Sequence, residues 1–135
     1  MYLKALRIAY RAHRGQKDKA GKPYIFHPIR VSLGVKNREA KIVALLHDVI
    51  EDSEITMEEL YFLNDRQKQA LLLLTHKEEE DYFDYIQRIK NDEIARQVKV
   101  SDLRHNADLT RLHTVTERDR KRRRKYLKAL SMLEQ

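Results

Sequence analysis

Apolar residues recur at helical spacing along most of the chain, and no stretch alternates as a half-buried strand would. Leu3, Leu6, Tyr10 and His13 share one face of a first helix, with Gly15 as its stop. A polar loop from Gln16 to Phe26 follows, containing Gly21 and Pro23. Pro28 suits the first turn of a short second helix, which carries Ile29 and Leu33 inward. Ala40, Ile42, Val43, Leu45 and Leu46 are apolar almost all round, the mark of a central buried helix. Thr56 and Glu59 have capping-box spacing, so another helix begins at Met57, and Asp65 caps the next, which carries Ala70 to Leu74. Tyr82, Ile86 and Ile89 form a further stripe that breaks at Asn91 and Asp92. Ile94, Val98, Asp102, His105 and Leu109 then lie along one face of a long helix. The last helix follows Thr116 and lays Tyr126, Leu127, Leu130 and Leu133 against the core. The pattern predicts an all-α fold, a compact bundle of roughly six to eight helices.

Composition sharpens this picture in three ways. With 3 Gly and 2 Pro in 135 residues, turn-formers are scarce, which fits helices joined by short loops in one domain, 1–135. The absence of cysteine excludes disulfides and thiolate metal sites, and suits a reducing cytoplasm. The longest apolar run, Ala70 to Leu74, falls far short of a bilayer span. Lys4, Arg7, Arg11 and Arg14 interrupt any signal-peptide core, so the expectation is a cytoplasmic protein with no membrane partner. The formal charge of +7 favours polyanionic partners: nucleotides, nucleic acid or acidic surfaces. Much of the excess lies in Arg118, Arg120, Lys121, Arg122, Arg123, Arg124 and Lys125, which also reads as a solvated helix face.

The chemistry concentrates where the central helix ends. His47 and Asp48 directly follow Ala44, Leu45 and Leu46, and two ionisable groups continuing a buried helix incur a desolvation cost that a cation would relieve. If the helix continues, Glu51 lies one turn beyond His47 and Asp52 one turn beyond Asp48. Asp102 poses the same problem on the apolar stripe between Val98 and His105. Taken singly, each of these residues, and His27 before Pro28, also reads as a cap, a helix end or an ion-paired side chain. Composition and spacing propose a metal without establishing one.

The adjacent His47-Asp48 pair, the earlier His27 and the later Asp102 resemble the ligand set of HD-domain phosphohydrolases. More narrowly, Ala12 to Gln16, Lys19 to Pro28, Leu46 to Asp52 followed by Thr56, and Val100 to Asn106 resemble motifs of the hydrolase domain in RelA/SpoT-type enzymes. The resemblance runs in order from residue 3 to about 126. It implies a small stand-alone hydrolase that removes the 3′-pyrophosphate of the alarmones ppGpp and pppGpp with a divalent ion, usually Mn²⁺. His27, His47, Asp48 and Asp102 match the metal ligands. Glu51 and Asp52 match the acidic pair that orients and deprotonates the attacking water, and Lys19, Asn106, Arg122 and Tyr126 match nucleotide contacts. Two imidazoles and two carboxylates suit Mn²⁺, and also Fe²⁺, Zn²⁺ or Co²⁺.

Two positions depart from that pattern. Asp18 stands where guanine-specific relatives usually carry a base-stacking arginine, and Asp108 where arginine commonly follows the Asn106 motif. An acid cannot supply cationic stacking, so the metal chemistry is better marked than the base. The near alternative is an HD phosphohydrolase of another nucleotide or of a dinucleotide phosphate. Outside enzymology stand a basic nucleic-acid-binding helical domain, which lacks any accompanying recognition motif, and a nucleotide sensor without turnover. The oligomeric state is not legible.

Overall fold

Five of the eight α-helices of the computed structural model, which describes residues 1–135, begin where a short polar side chain accepts from a backbone amide. The helices are α1 (Tyr2–Ala12), α2 (Phe26–Leu33), α3 (Arg38–Leu46), α4 (Val49–Asp52), α5 (Asp65–Leu74), α6 (Tyr82–Ile89), α7 (Glu93–Ala107) and α8 (Glu117–Leu133). Two 3-10 turns, Met57–Leu60 and Leu109–Arg111, complete the list. Asn37 accepts from the Ala40 amide, Asp92 from Ala95, and Thr116 with Asp119 forms a reciprocal capping box. Gly15 ends the first helical segment at φ +82°, a backbone conformation that favours glycine. The all-α expectation holds, and no helix is long and apolar enough to cross a membrane.

The apolar run of α3 is the centre of the molecule. Ala40, Val43, Ala44, Leu45 and Leu46 are buried, and α3 packs against α1, α2, α5 and α7. A contiguous cluster of 27 buried apolar residues draws on all eight α-helices, with Val49 the sole contribution of α4, so the site stands on a continuous core. Helices α2 and α7 approach so closely that a Cβ on Gly34 would collide with Ser101 Oγ, while that hydroxyl donates to the Val31 carbonyl at 2.8 Å. This contact fixes His27, on α2, relative to Asp102, one residue after Ser101.

Several boundaries differ from the sequence expectation. Asn64 caps α5 rather than Asp65, because Gln67 then falls at the position that completes a capping box. The Thr56–Glu59 box forms, but opens a single 3-10 turn. Helix α7 stops at Ala107, so Leu109 sits on the next turn rather than on the helical stripe. The buried face of α2 is His27, Pro28, Val31 and Ser32, one helical repeat apart, which leaves Leu33 66% exposed. On α8, Ala129, Leu130 and Leu133 face the core, and Leu127 is turned outward.

Candidate metal centre and adjoining cavity

The central helix does not continue through His47. His47 and Asp48 form a turn between α3 and α4, so both side chains emerge at the end of a buried helix rather than along its wall. His47 Nδ1 donates to the Ala44 carbonyl at 2.6 Å, so in the neutral ring Nε2 is the nitrogen free to coordinate an ion. That Nε2 is buried and has no hydrogen-bond partner. Around it lie Asp48 Oδ2 at 3.0 Å and Asp102 Oδ1 at 3.4 Å. His27 Nε2 is 2.8 Å from Asp102 Oδ1 and 3.9 Å from Asp48 Oδ2. One donor atom each from His27, His47 and Asp102 lies within 4.8 Å of the others. Side chains separated by 75 positions thus meet at one point, with Asp48 at its edge.

The donor set fits a divalent cation. His27 Nδ1 is 2.7 Å from His105 Nδ1, and burial, aided by the charges of His27, Arg111 and Arg30, lowers His105 to about 4. In the tautomer where His105 accepts there, His27 carries its proton on Nδ1, and its Nε2 meets the Asp102 oxygen lone pair to lone pair, as two ligands of one ion do. Such a pair needs a proton or a cation between its members. Burial disfavours charge on His47, Asp48 and Asp102, yet their mutual attraction prevails. Asp48 and Asp102 raise His47 well above an ordinary histidine, and Lys99 with the imidazoles holds Asp102 well below an ordinary carboxylate. Asp48 is lowered to about 2, chiefly by His47. Two anionic carboxylates and two imidazoles, mixing oxygen and nitrogen donors, suit a first-row divalent ion.

Three positioning side chains had no assigned role in the sequence reading. Tyr24 Oη donates to Asp48 Oδ2 at 2.6 Å. Lys99, its side chain only 12% exposed, donates to Asp102 Oδ2 at 2.9 Å, which turns Oδ1 toward the imidazoles. His105 orients His27 as described. Lys99 and His105 each lie three residues from Asp102 on α7, a spacing visible in the sequence; Tyr24 lies inside a motif already singled out.

Glu51 and Asp52 occupy the exposed end of α4. Glu51 accepts a hydrogen bond from the His76 amide, whereas the Asp52 carboxylate retains open lone pairs. Packing against the protein wall raises both carboxyls, and the nearby Asp48 charge raises them further. His13, His47 and His27 act on Asp52 in the opposite sense, which places it within electrostatic reach of the centre.

A cavity of about 330 Å³ adjoins the centre through His27 and Tyr24. Lys19, Asn106, Arg122 and Tyr126 all line it. Asn106 also donates to Asp102 Oδ1 at 3.2 Å, linking cavity and centre. Asp18 and Asp108 are in the same wall. Asp18 Oδ1 accepts from the amides of Ala20 and Lys22 at 2.9 and 3.0 Å, so this acid ties its own loop.

No family model matches the chain. Among curated proteins, a guanosine-3′,5′-bis(diphosphate) 3′-pyrophosphohydrolase of Borreliella burgdorferi is 48% identical over 61 residues, covering 42% of this chain and 9% of that protein. The Aquifex aeolicus protein of the same name is 43% identical over 61 residues, again 42% of this chain and 9% of the relative. The chain therefore spans less than a tenth of the length of these relatives. A solved structure, reported for a metazoan ortholog of SpoT that hydrolyses ppGpp, superposes with a TM-score of 0.77 at 23% identity, over 96% of this chain and 82% of the other. The chain resembles RelA/SpoT-type hydrolases, locally in sequence and over nearly its whole length in its HD-type all-α fold.

Proposed function

We propose that this chain is a divalent-metal-dependent phosphohydrolase that removes the 3′-pyrophosphate of ppGpp and pppGpp. The carrying observation is the meeting of His27, His47, Asp48 and Asp102 around an unpartnered, buried His47 Nε2, at the end of a cation-lined cavity. The names of the curated relatives support the choice of alarmone. Mn²⁺ suits the donors, and when bound it supplies Lewis acidity to the phosphoryl group and lowers the pKa of water.

The chain's own residues perform the remaining work. Tyr24, Lys99 and His105 hold Asp48, Asp102 and His27 in ligand orientation before any ion arrives. Lys19 and Arg122 draw the polyanionic nucleotide into the cavity, and Asn106 and Tyr126 border its reacting end. Asp52, with Glu51 beside it, accepts the proton of the attacking water, whose oxygen bonds to the phosphorus attached to the ribose 3′ oxygen. That P–O bond breaks, the 3′ oxygen takes a proton, and pyrophosphate leaves with a 5′-phosphorylated guanosine as co-product.

A panel of ppGpp, pppGpp, other nucleotides and dinucleotide phosphates, incubated with the Mn²⁺-loaded protein, tests this directly. Pyrophosphate should appear stoichiometrically with GDP or GTP. Turnover confined to a different nucleotide would reject the alarmone and retain the hydrolase; no turnover by fully metallated protein would reject both.

A further inference from the structure

The cavity wall holds a cation that the motif positions do not include. Arg111, on the 3-10 turn after α7, lines the cavity together with Lys19 and Arg122. Its side chain is only 25% exposed, and its Nε is buried without a hydrogen-bond partner. Its nearest acid is Asp18, with Nη1 to Oδ2 at 3.8 Å, too long for a hydrogen bond. Asp18 has already committed Oδ1 to the amides of Ala20 and Lys22. Asp108 is similarly committed: its Oδ1 accepts from the Thr110 amide at 3.0 Å and from the Thr110 hydroxyl at 2.6 Å, capping the very turn that carries Arg111. The two acids thus secure the loops that present Lys19 and Arg111, and neither satisfies the guanidinium.

We propose that Arg111 is a substrate-binding residue that clamps a phosphate of the nucleotide other than the one being cleaved, through Nε–H and an Nη–H. A planar guanidinium fork matches two phosphate oxygens, and a buried donor without a partner carries an uncompensated desolvation cost until such a ligand arrives. Crowding supports this role. Burial lowers the proton affinity of Lys19, and the charges of Arg122 and Arg111 lower it further, so the cations repel one another until a polyanion enters. Arg111 also borders a neighbouring concavity of about 510 Å³ that includes Phe26, Ile29 and Leu33. It therefore stands on the wall shared by two compartments, the second of which offers apolar surface from Phe26, Ile29 and Leu33 among polar side chains, as a residue gripping the phosphate end of a nucleoside would.

This rests on reading the cavity as a nucleotide site, so the test separates the two. The Mn²⁺-loaded full chain is titrated calorimetrically with GDP, which carries only the far phosphates, and with guanosine, which carries none. Arg111→Gln should weaken GDP binding about tenfold and leave guanosine unchanged. Arg111→Lys, which keeps charge but loses the fork, should fall between. Lys36→Gln, which removes an exposed charge elsewhere, should match the unaltered protein within about twofold. With ppGpp, Arg111→Gln should raise KM about tenfold and hold kcat within about twofold. Unchanged GDP affinity in Arg111→Gln, an equal loss in Lys36→Gln, or no measurable GDP binding by the unaltered protein would each overturn the assignment of Arg111. Arg111-dependent GDP binding without any ppGpp turnover would instead overturn the hydrolase reading alone.

Discussion

Asp48 and Glu51 lie three residues apart, yet their surroundings assign them different work. Asp48 is held by Tyr24 and faces two imidazoles, so its carboxylate is placed to hold the proposed ion. Asp48→Ala should abolish both bound Mn²⁺ and turnover, measured as metal per chain and as pyrophosphate release; full occupancy with normal rates would remove Asp48 from the centre. Glu51 sits outside the imidazoles, and its oxygen accepts from the His76 amide. Glu51→Gln retains that acceptor through its amide oxygen and loses only the basic carboxylate. Metal content should therefore persist while turnover drops roughly 10²-fold. Near-normal kcat at saturating ppGpp would leave Glu51 a helix-end anchor for His76. The proposed ligands were legible in the sequence because His47, Asp48 and Asp102 interrupt apolar patterns that would otherwise be continuous. Tyr24, Lys99 and Arg111 were not, since their roles depend on which carboxyl oxygen or ring nitrogen faces them, and periodicity carries no such information.

At the scale of elements, the site depends on how closely α2 and α7 pack. Glycine is required at position 34 because Ser101 Oγ occupies the space of a Cβ, although the backbone there, at φ −83°, suits any residue. Gly34→Ala should destabilise the fold by about 1–3 kcal/mol, the range for overpacking, and should weaken Mn²⁺ binding by spreading His27 from Asp102. Ser101→Ala removes the colliding oxygen, so combining the two should recover part of the loss. Strictly additive unfolding free energies in this double-mutant cycle would show that the contact does not couple the helices. The sequence displayed the helices themselves well, because 3.6-residue periodicity and capping side chains are local properties. It displayed their neighbours poorly: Leu33 and Leu127 are apolar and on helices, but only packing decides that both face outward. Asn64 and Asp65 are both good caps, and the choice between them turned on Gln67.

Over the whole molecule, one ion would join parts of the chain that the core alone holds apart. Its ligands come from α2, from the turn between α3 and α4, and from α7, and they include two carboxylates whose negative charge Lys99 offsets only in part. A cation that binds this folded arrangement and not the unfolded chain stabilises folding by about 2.7 kcal/mol at a free concentration one hundred times its Kd. The unfolding midpoint should therefore rise with Mn²⁺ concentration and fall when a chelator is added. For a chain of this length such an increment corresponds to a shift on the order of 10 °C. The response should be specific to the centre: Asp48→Ala should start from a different midpoint but stay there as Mn²⁺ is added, whereas Glu51→Gln should respond as the unaltered protein does. Non-specific binding of Mn²⁺ to surface carboxylates predicts instead that both variants gain stability alike. That outcome would separate the convergence of His27, His47, Asp48 and Asp102 from any role in holding metal, and it can be read without a substrate.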